Sequence, residues 1–267
     1  TLTPEDMEKV VYDQLESKWR LVDKMKRETT IVGYQKNITK AIRAQKQYGS
    51  TACLSFIDID PVCGDKAILA TSYAKGYAAE SGIEAQLDMG TIDIIGSLPG
   101  ADRGREEEHL DIVFQLAKDY NKRVHVHVDQ LNTASERETE MLARKTMEHG
   151  WESRVTAVHS ISLASHPKFY RKEVYKMAQD AGLSFISCPT AWIDHRRTEE
   201  LTPNHNAITP VDELLENNLI VAIGSDNIND IYKPYSTGDM MIELRFLMEA
   251  LHIYNQDVLV KIATENG

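Results

Sequence analysis

The sequence predicts an α/β fold built on a parallel sheet, and within that class a (β/α)8 TIM-like barrel. Three observations predict it. Short β-branched apolar runs alternate with helical stretches at roughly thirty residues per unit, the spacing of βαβ crossovers. Polar, chemistry-bearing residues sit at the C-terminal ends of several different strands: Asp58 and Asp60, His125 and His127, His159, Thr190 and Asp226. A barrel distributes its site in this way, whereas an open doubly wound sheet gathers its ligand at one switch point. Neither GxGxxG nor GxxxxGK[ST] occurs, so no nucleotide fingerprint favours the open sheet.

The elements follow in order. Thr3-Pro4-Glu5-Asp6 reads as a helix start, with a cap residue, proline in the first turn and acids on the positive end of the dipole. Val10, Val11, Leu15, Trp19 and Val22 continue it at helical spacing, and a second helical run around residues 38–48 stops at Gly49. Strands are predicted over 52–59, 91–95, 124–128, 155–158, 183–186 and 219–223. Helices are predicted over 65–81, 105–120, 135–149, 168–180, 211–217 and 239–251. No linker-like or low-complexity tract separates the units, so residues 1–267 are expected to be one domain. Around Ile83-Glu84-Ala85 one helix runs into what looks like the end of another with no strand between, and the chain opens in helix. Six visible strands plus two absent ones make eight, so the strand 1 and strand 3 regions are expected to be missing from this sequence.

Composition narrows the partners. Thirty Lys+Arg against 41 Asp+Glu give a net charge of −11 in 267 residues, which disfavours a nucleic-acid binder. No run of about eighteen apolar residues exists to span a membrane. The three cysteines, Cys53, Cys63 and Cys188, are odd in number and scattered, so a reducing cytoplasm is the expected compartment. The two N-terminal helices offer a surface for a homo-oligomer, and a small molecule is the expected substrate.

The densest chemistry is Arg123-Val-His-Val-His-Val-Asp-Gln130. Period-two alternation puts His125, His127 and Asp129 on one strand face and the valines on the other. His159 ends the next strand, and Asp226 follows a later apolar one in Gly224-Ser-Asp226. Imidazoles with a carboxylate suit one borderline divalent cation, Zn²⁺, Fe²⁺ or Mn²⁺, which lowers the pKa of bound water. Asp226 is placed to take that water's proton and pass it to a leaving group.

Four stretches in this order resemble the amidohydrolase superfamily: His125–Gln130, Arg154–His159, Ser187–His195 and Gly224–Asp230. They are most similar to its cytosine-deaminase-like branch, which includes N-isopropylammelide isopropylaminohydrolase and other enzymes acting on s-triazine rings. The resemblance implies a metal at the C-terminal mouth of a barrel. His127 would be the strand-5 ligand and Asp226 the strand-8 ligand and proton shuttle. His159 matches a strand-6 histidine that hydrogen-bonds the hydroxide or substrate, or binds a second metal. The strand-1 HxH of the family is not in the sequence. Gln130 stands where cytosine deaminases carry a proton-shuttling glutamate, and an amide does no acid–base work near neutral pH. Trp192 could stack a flat heterocycle; His195, Asp129 and Asn229 complete the expected substrate contacts. The implied function is a metal-dependent hydrolase, a deaminase or aminohydrolase cleaving a C–N bond of a small, cyclic nitrogenous molecule. The alternatives are a cyclic amide hydrolase and a catalytically inactive barrel that binds a small molecule.

Overall fold

The computed structural model describes residues 8, 15–75, 90, 92–192 and 206–267. The expected helix start at Thr3 and the join at Ile83–Ala85 lie outside them. Contacts divide the chain into two compact units: residues 1–93 with 193–196 and 227–239, and residues 94–192 with 197–226 and 240–267.

In the first unit, helices α1 (Leu15–Glu28) and α2 (Ile31–Gln47) are separated at Thr29-Thr30. Thr30 Oγ1 accepts the Gly33 N–H at 3.2 Å, so the second helix starts with a side-chain cap seven residues before the sequence pattern placed it. It ends at Tyr48-Gly49, with Gly49 at φ +89°, a conformation glycine adopts without a Cβ clash. α3 covers Lys66–Lys75 and packs against α2.

The predicted strand at 52–59 is not formed. Leu54 and Phe56 are exposed there, and no neighbouring strand pairs with the segment among the described residues. β-branched composition favours a strand only where a partner supplies the ladder. Asp58 and Asp60 are therefore not strand-end residues. Both hold Lys26 of α1, at 2.9 and 2.6 Å, and Asp60 Oδ1 also accepts the N–H groups of Val62 and Cys63.

The second unit carries a five-stranded parallel sheet in the order β1 (Ile94–Ser97), β2 (Arg123–Val128), β3 (Val155–His159), β4 (Ser184–Ser187) and β5 (Ile220–Ile223). Helices α4 (Glu106–Asp119), α5 (Glu138–Glu148), α6 (Lys168–Asp180) and α7 (Val211–Glu216) fall in the crossovers, and α8 (Met240–Leu251) and α9 (Gln256–Val260) follow β5. Every strand is hydrogen-bonded to the next in sequence, the arrangement of consecutive staves in a barrel wall. β1 begins later than the predicted 91–95, because Ile94–Ser97 are the residues in register with Arg123–Val126.

Register sorts the sheet into two faces. Val124, Val126, Ala157, Phe185 and Val221 share one face and are essentially inaccessible. Ser97 lies on that face, in register with Val126, and its Oγ is 2.8 Å from Nε2 of His109 on α4. His109 Nδ1 in turn lies 2.6 Å from Asp102, so the loop after β1 is tied to the helix layer. The other face carries Gly96, His125, Thr156 and Ser184 in one row and His127, Val158, Ile186 and Ala222 in the next.

Between α6 and α7 the Arg171 guanidinium grips Glu213 through two bonds of 2.8 and 2.5 Å, and the buried Tyr175 hydroxyl donates to the same carboxylate at 2.8 Å. Arg171, with Tyr175, holds the Glu213 pKa below the ordinary carboxylate value against partial desolvation. Glu213→Gln is expected to cost about 2 kcal/mol at pH 7, read as a drop in thermal midpoint. A depressed folded pKa contributes stability above the unfolded pKa, so the gap between the two proteins should close as pH falls below about 4.

Candidate active site

The β2 alternation places the site as its residues require. Val124, Val126 and Val128 face the helices, and both histidines take the opposite face. His125 is 6% exposed. Burial, with the positive charges of Arg123 and His127 adding to it, pushes its pKa down to about 4, so the ring is a neutral imidazole at pH 7. His127 lies nearer the C-terminal end and is only partly covered.

His159 breaks the strand rule. Register pairs it with Val128, which would send its side chain to the valine face. Its φ is +75°, so the extended alternation stops there, and its ring lies 5.1 Å from the His127 ring, centroid to centroid, tilted by 36°. Thr209 Oγ1 donates to the His159 carbonyl at 2.5 Å, which helps hold the turn. Asp129, Ser160 and Asp226 also have positive φ, at +53°, +52° and +57°. A non-glycine residue in this region costs on the order of 1 kcal/mol or more. Four such residues at the C-terminal ends of three strands indicate backbone held in place by its surroundings.

Asp129, expected to touch substrate, has its carboxylate committed elsewhere. It leaves the strand and points at the start of α5. Its Oδ1 accepts the Glu138 N–H at 2.8 Å; its Oδ2 accepts the Thr139 N–H at 3.0 Å and the Thr139 hydroxyl at 2.5 Å. In return Glu138 Oε2 accepts the Asp129 N–H at 2.8 Å. The Asp129 carbonyl receives the N–H groups of Ile161 and Ser162, and the Val128 carbonyl that of Ser160. One residue thus stitches the end of β2 to the start of α5 and to the turn after β3.

Two half-buried acids beside this turn went unnoticed in the sequence. Glu136 Oε2 accepts from Leu131 N at 2.9 Å and from Ser162 Oγ at 2.7 Å. Burial pushes Glu136 up to about 7 and Glu138 up to about 8, with the nearby Asp129 charge acting in the same direction on both. The available signal was the acid-rich lead-in Ser135-Glu-Arg-Glu-Thr-Glu140 directly after a strand-end aspartate.

The remaining candidates are dispersed. Gln130 is half-buried immediately after Asp129. Asp226 follows β5 at the same C-terminal edge of the sheet as His127 and His159. Trp192, in the segment after β4, meets Phe246 of α8 edge-on at 5.7 Å, and its indole Nε1 is buried with no acceptor among the described residues. That segment is anchored by the buried Glu243, which accepts from Thr190 N at 3.0 Å and Thr190 Oγ1 at 2.6 Å. Asn229 donates its side-chain amide to the Pro234 carbonyl within its own loop. Asp230 accepts the N–H groups of Tyr232 and Lys233 in a local turn. His195 lies outside the described residues.

The His127 and His159 rings lie close together, and imidazole is a side chain that borderline cations accept. Among the described residues, however, no group of three or more His, Cys, Asp or Glu side chains is arranged to hold a metal ion.

The raised pKa values of Glu136 and Glu138 have a definite sign in stability. Between pH 4.5 and about 8 the folded protein binds more protons than the unfolded chain, so stability falls as pH rises through that window. Glu138→Gln keeps an acceptor oxygen for Asp129 and carries no charge. It is expected to flatten this decline, raising the thermal midpoint at pH 8 by roughly 5 °C relative to the parent while changing little at pH 5.

Comparison with known proteins places this geometry. An uncharacterized protein of Haemophilus influenzae is 39% identical over a match covering 80% of this chain and 86% of that one. N-isopropylammelide isopropyl amidohydrolase of Pseudomonas sp. is 28% identical over 78% of this chain, which spans about half (53%) of that enzyme's length. Among solved structures, 5-methylcytosine deaminase from Klebsiella pneumoniae, liganded with 5-fluorocytosine, superposes with a TM-score of 0.80 at 23% identity, covering 94% of this chain and 66% of that one. N-isopropylammelide isopropylaminohydrolase from Burkholderia multivorans superposes with a TM-score of 0.69 at 17% identity, over 85% and 61%. These two likenesses establish a shared fold. Residues 8–263 match the Amidohydrolase family, and the chain belongs to it.

Proposed function

We propose that the protein is a hydrolase of a C–N bond in a small, cyclic nitrogenous molecule, acting as a deaminase or aminohydrolase. The observation that carries this reading is the His127–His159 pair, brought within 5.1 Å at the C-terminal strand ends of an amidohydrolase-family chain. The names of the relatives, an N-isopropylammelide isopropyl amidohydrolase and a pterin deaminase, favour a ring substrate carrying an amino or alkylamino group.

In this reading His127 and Asp226 belong to the ligand set of one divalent ion, Zn²⁺, Fe²⁺ or Mn²⁺, completed by residues beyond those described, with His159 beside it. Such an ion, when bound, supplies hydroxide near neutral pH. The chain's own residues do the rest. The Asp226 carboxylate holds the proton released by water and delivers it to the departing nitrogen. His159 Nε2 or Nδ1 hydrogen-bonds the oxygen that attacks. His125, neutral and buried beneath His127, keeps positive charge out of the base of the site. Gln130 orients the ring without exchanging protons, and Trp192 offers its indole N–H to a ring nitrogen or carbonyl.

The test is a panel of aminopyrimidines, alkylaminotriazines and pterins incubated with the metal-reconstituted protein, with release of ammonia or amine measured. Turnover of one panel member with about one equivalent of retained metal supports the reading. His127→Ala should then lose both the metal and turnover. Asp226→Asn should lower kcat about 10²- to 10⁴-fold with a smaller change in KM. No retained metal, with small-molecule binding unaltered in His127→Ala, would instead make the protein a binding barrel, the alternative that Gln130 and the HxH absent from the sequence leave open.

A further inference from the structure

Gln130, the residue placed to orient the ring, stands between two residues that are themselves held. Asp129 before it takes the N–H groups of Ile161 and Ser162 on its carbonyl, at 2.9 and 3.1 Å. Leu131 after it gives its N–H to Glu136 Oε2 at 2.9 Å. Ser162 Oγ reaches the same carboxyl oxygen at 2.7 Å and also meets the Leu131 carbonyl. Glu136 and Ser162 therefore fasten the loop that carries Gln130 to the turn that follows His159.

These contacts are one hydrogen short when Glu136 is ionised. Ser162 has a single hydroxyl proton and faces two acceptors, the carboxylate and the Leu131 carbonyl. A proton on Oε2 removes the shortfall. The carboxyl then donates to Ser162 Oγ, the hydroxyl donates on to the Leu131 carbonyl, and Oε2 keeps a lone pair for the Leu131 N–H. Asp129 at the end of β2 and Glu138 at the start of α5 favour that proton; Arg103, in the loop after β1, opposes it. His166, from the turn after β3, lies with Nε2 2.7 Å from the Glu136 carbonyl. We propose that Glu136 is the positioning residue for Gln130 and that it closes this loop in its protonated form. The proposal rests on the hydrolase reading only in giving Gln130 a substrate to touch.

Burial fixes the sign of the pH dependence. It pushes the Glu136 pKa up to about 7 in the closed loop, against 4.5 for a solvated carboxyl of this kind. The closed loop binds the extra proton, so raising the pH through that window favours opening. The opening equilibrium should shift by up to about tenfold per pH unit, and by about 10- to 100-fold in all between pH 5 and pH 8.

Amide hydrogen exchange of residues 130–133 in the whole chain, taken as the ratio of parent to Glu136→Gln at each pH, tests the closure. In Glu136→Gln the amide gives Ser162 a permanent N–H and Leu131 an oxygen, so this variant stays closed at every pH. The ratio should be near one at pH 5 and rise about 10- to 100-fold by pH 8. A ratio that is flat across this range overturns the protonated closure. Kinetics with the panel substrate test the positioning. Glu136→Ala and Gln130→Ala should each raise KM about tenfold, with a smaller change in kcat and unchanged metal content. The double variant should be no worse than either single one, because both remove the same contact. Additive losses, or a KM indifferent to Glu136→Ala, overturn the positioning role. A parent that turns over no panel member counts against the hydrolase reading, and the exchange ratio, which needs no substrate, then decides the role of Glu136 alone.

Discussion

The turn at Asp129 is the constraint on which the candidate site depends. Its backbone is left-handed, its carboxylate takes the first N–H groups of α5, its N–H is held by Glu138, and its carbonyl receives two N–H groups from the turn after β3. Six hydrogen bonds on one residue, counting the Thr139 hydroxyl, bind three chain segments together. His127 lies two residues before this knot and His159 immediately precedes Ser160, whose N–H is bound by Val128. The backbone on either side of the two imidazoles is thus held by bonds between these segments.

The site is built in a dry, acid-rich setting. Asp129 is fully buried, and burial raises its pKa despite the Thr139 and Glu138 bonds that oppose it. Glu136 and Glu138 beside it are pushed toward neutrality. Three carboxyl groups this close cannot all ionise cheaply, so Glu136 and Glu138 are held toward their protonated forms. The imidazole His125 is correspondingly held neutral from the other side. The layer beneath the candidate site therefore carries less charge than its composition suggests, which is the condition for strong, directional hydrogen bonding in a low dielectric.

Much of the architecture was legible from periodicity. The β2, β3, β4 and β5 segments and the helices around them lie within a few residues of their expected positions, because parallel strands buried on both faces read as short β-branched runs. The run at 52–59 pairs with no strand among the described residues, and it remains coil with Phe56 and Leu54 exposed. Propensity counts side chains; strand formation also requires a neighbour's N–H and C=O groups. Helix α2 was misjudged at its start because its cap is a threonine hydroxyl and its first turn lacks the acids that usually mark a helix N-terminus.

For the site, alternation alone determined that His125 and His127 share a face, since a period of two needs no tertiary information. The sequence also determined the acidic net charge and the residue types able to hold a cation or move a proton. Only the tertiary structure decided that His159 joins His127, because that depends on a positive φ that breaks alternation. It likewise decided that Asp129 serves the backbone, and that Glu136 and Glu138 accept backbone N–H groups of the same turn. The physical reason is the same in each case: strand and helix periods are properties of neighbouring residues, whereas the direction of a side chain at a strand end is set by bonds to segments tens of residues away.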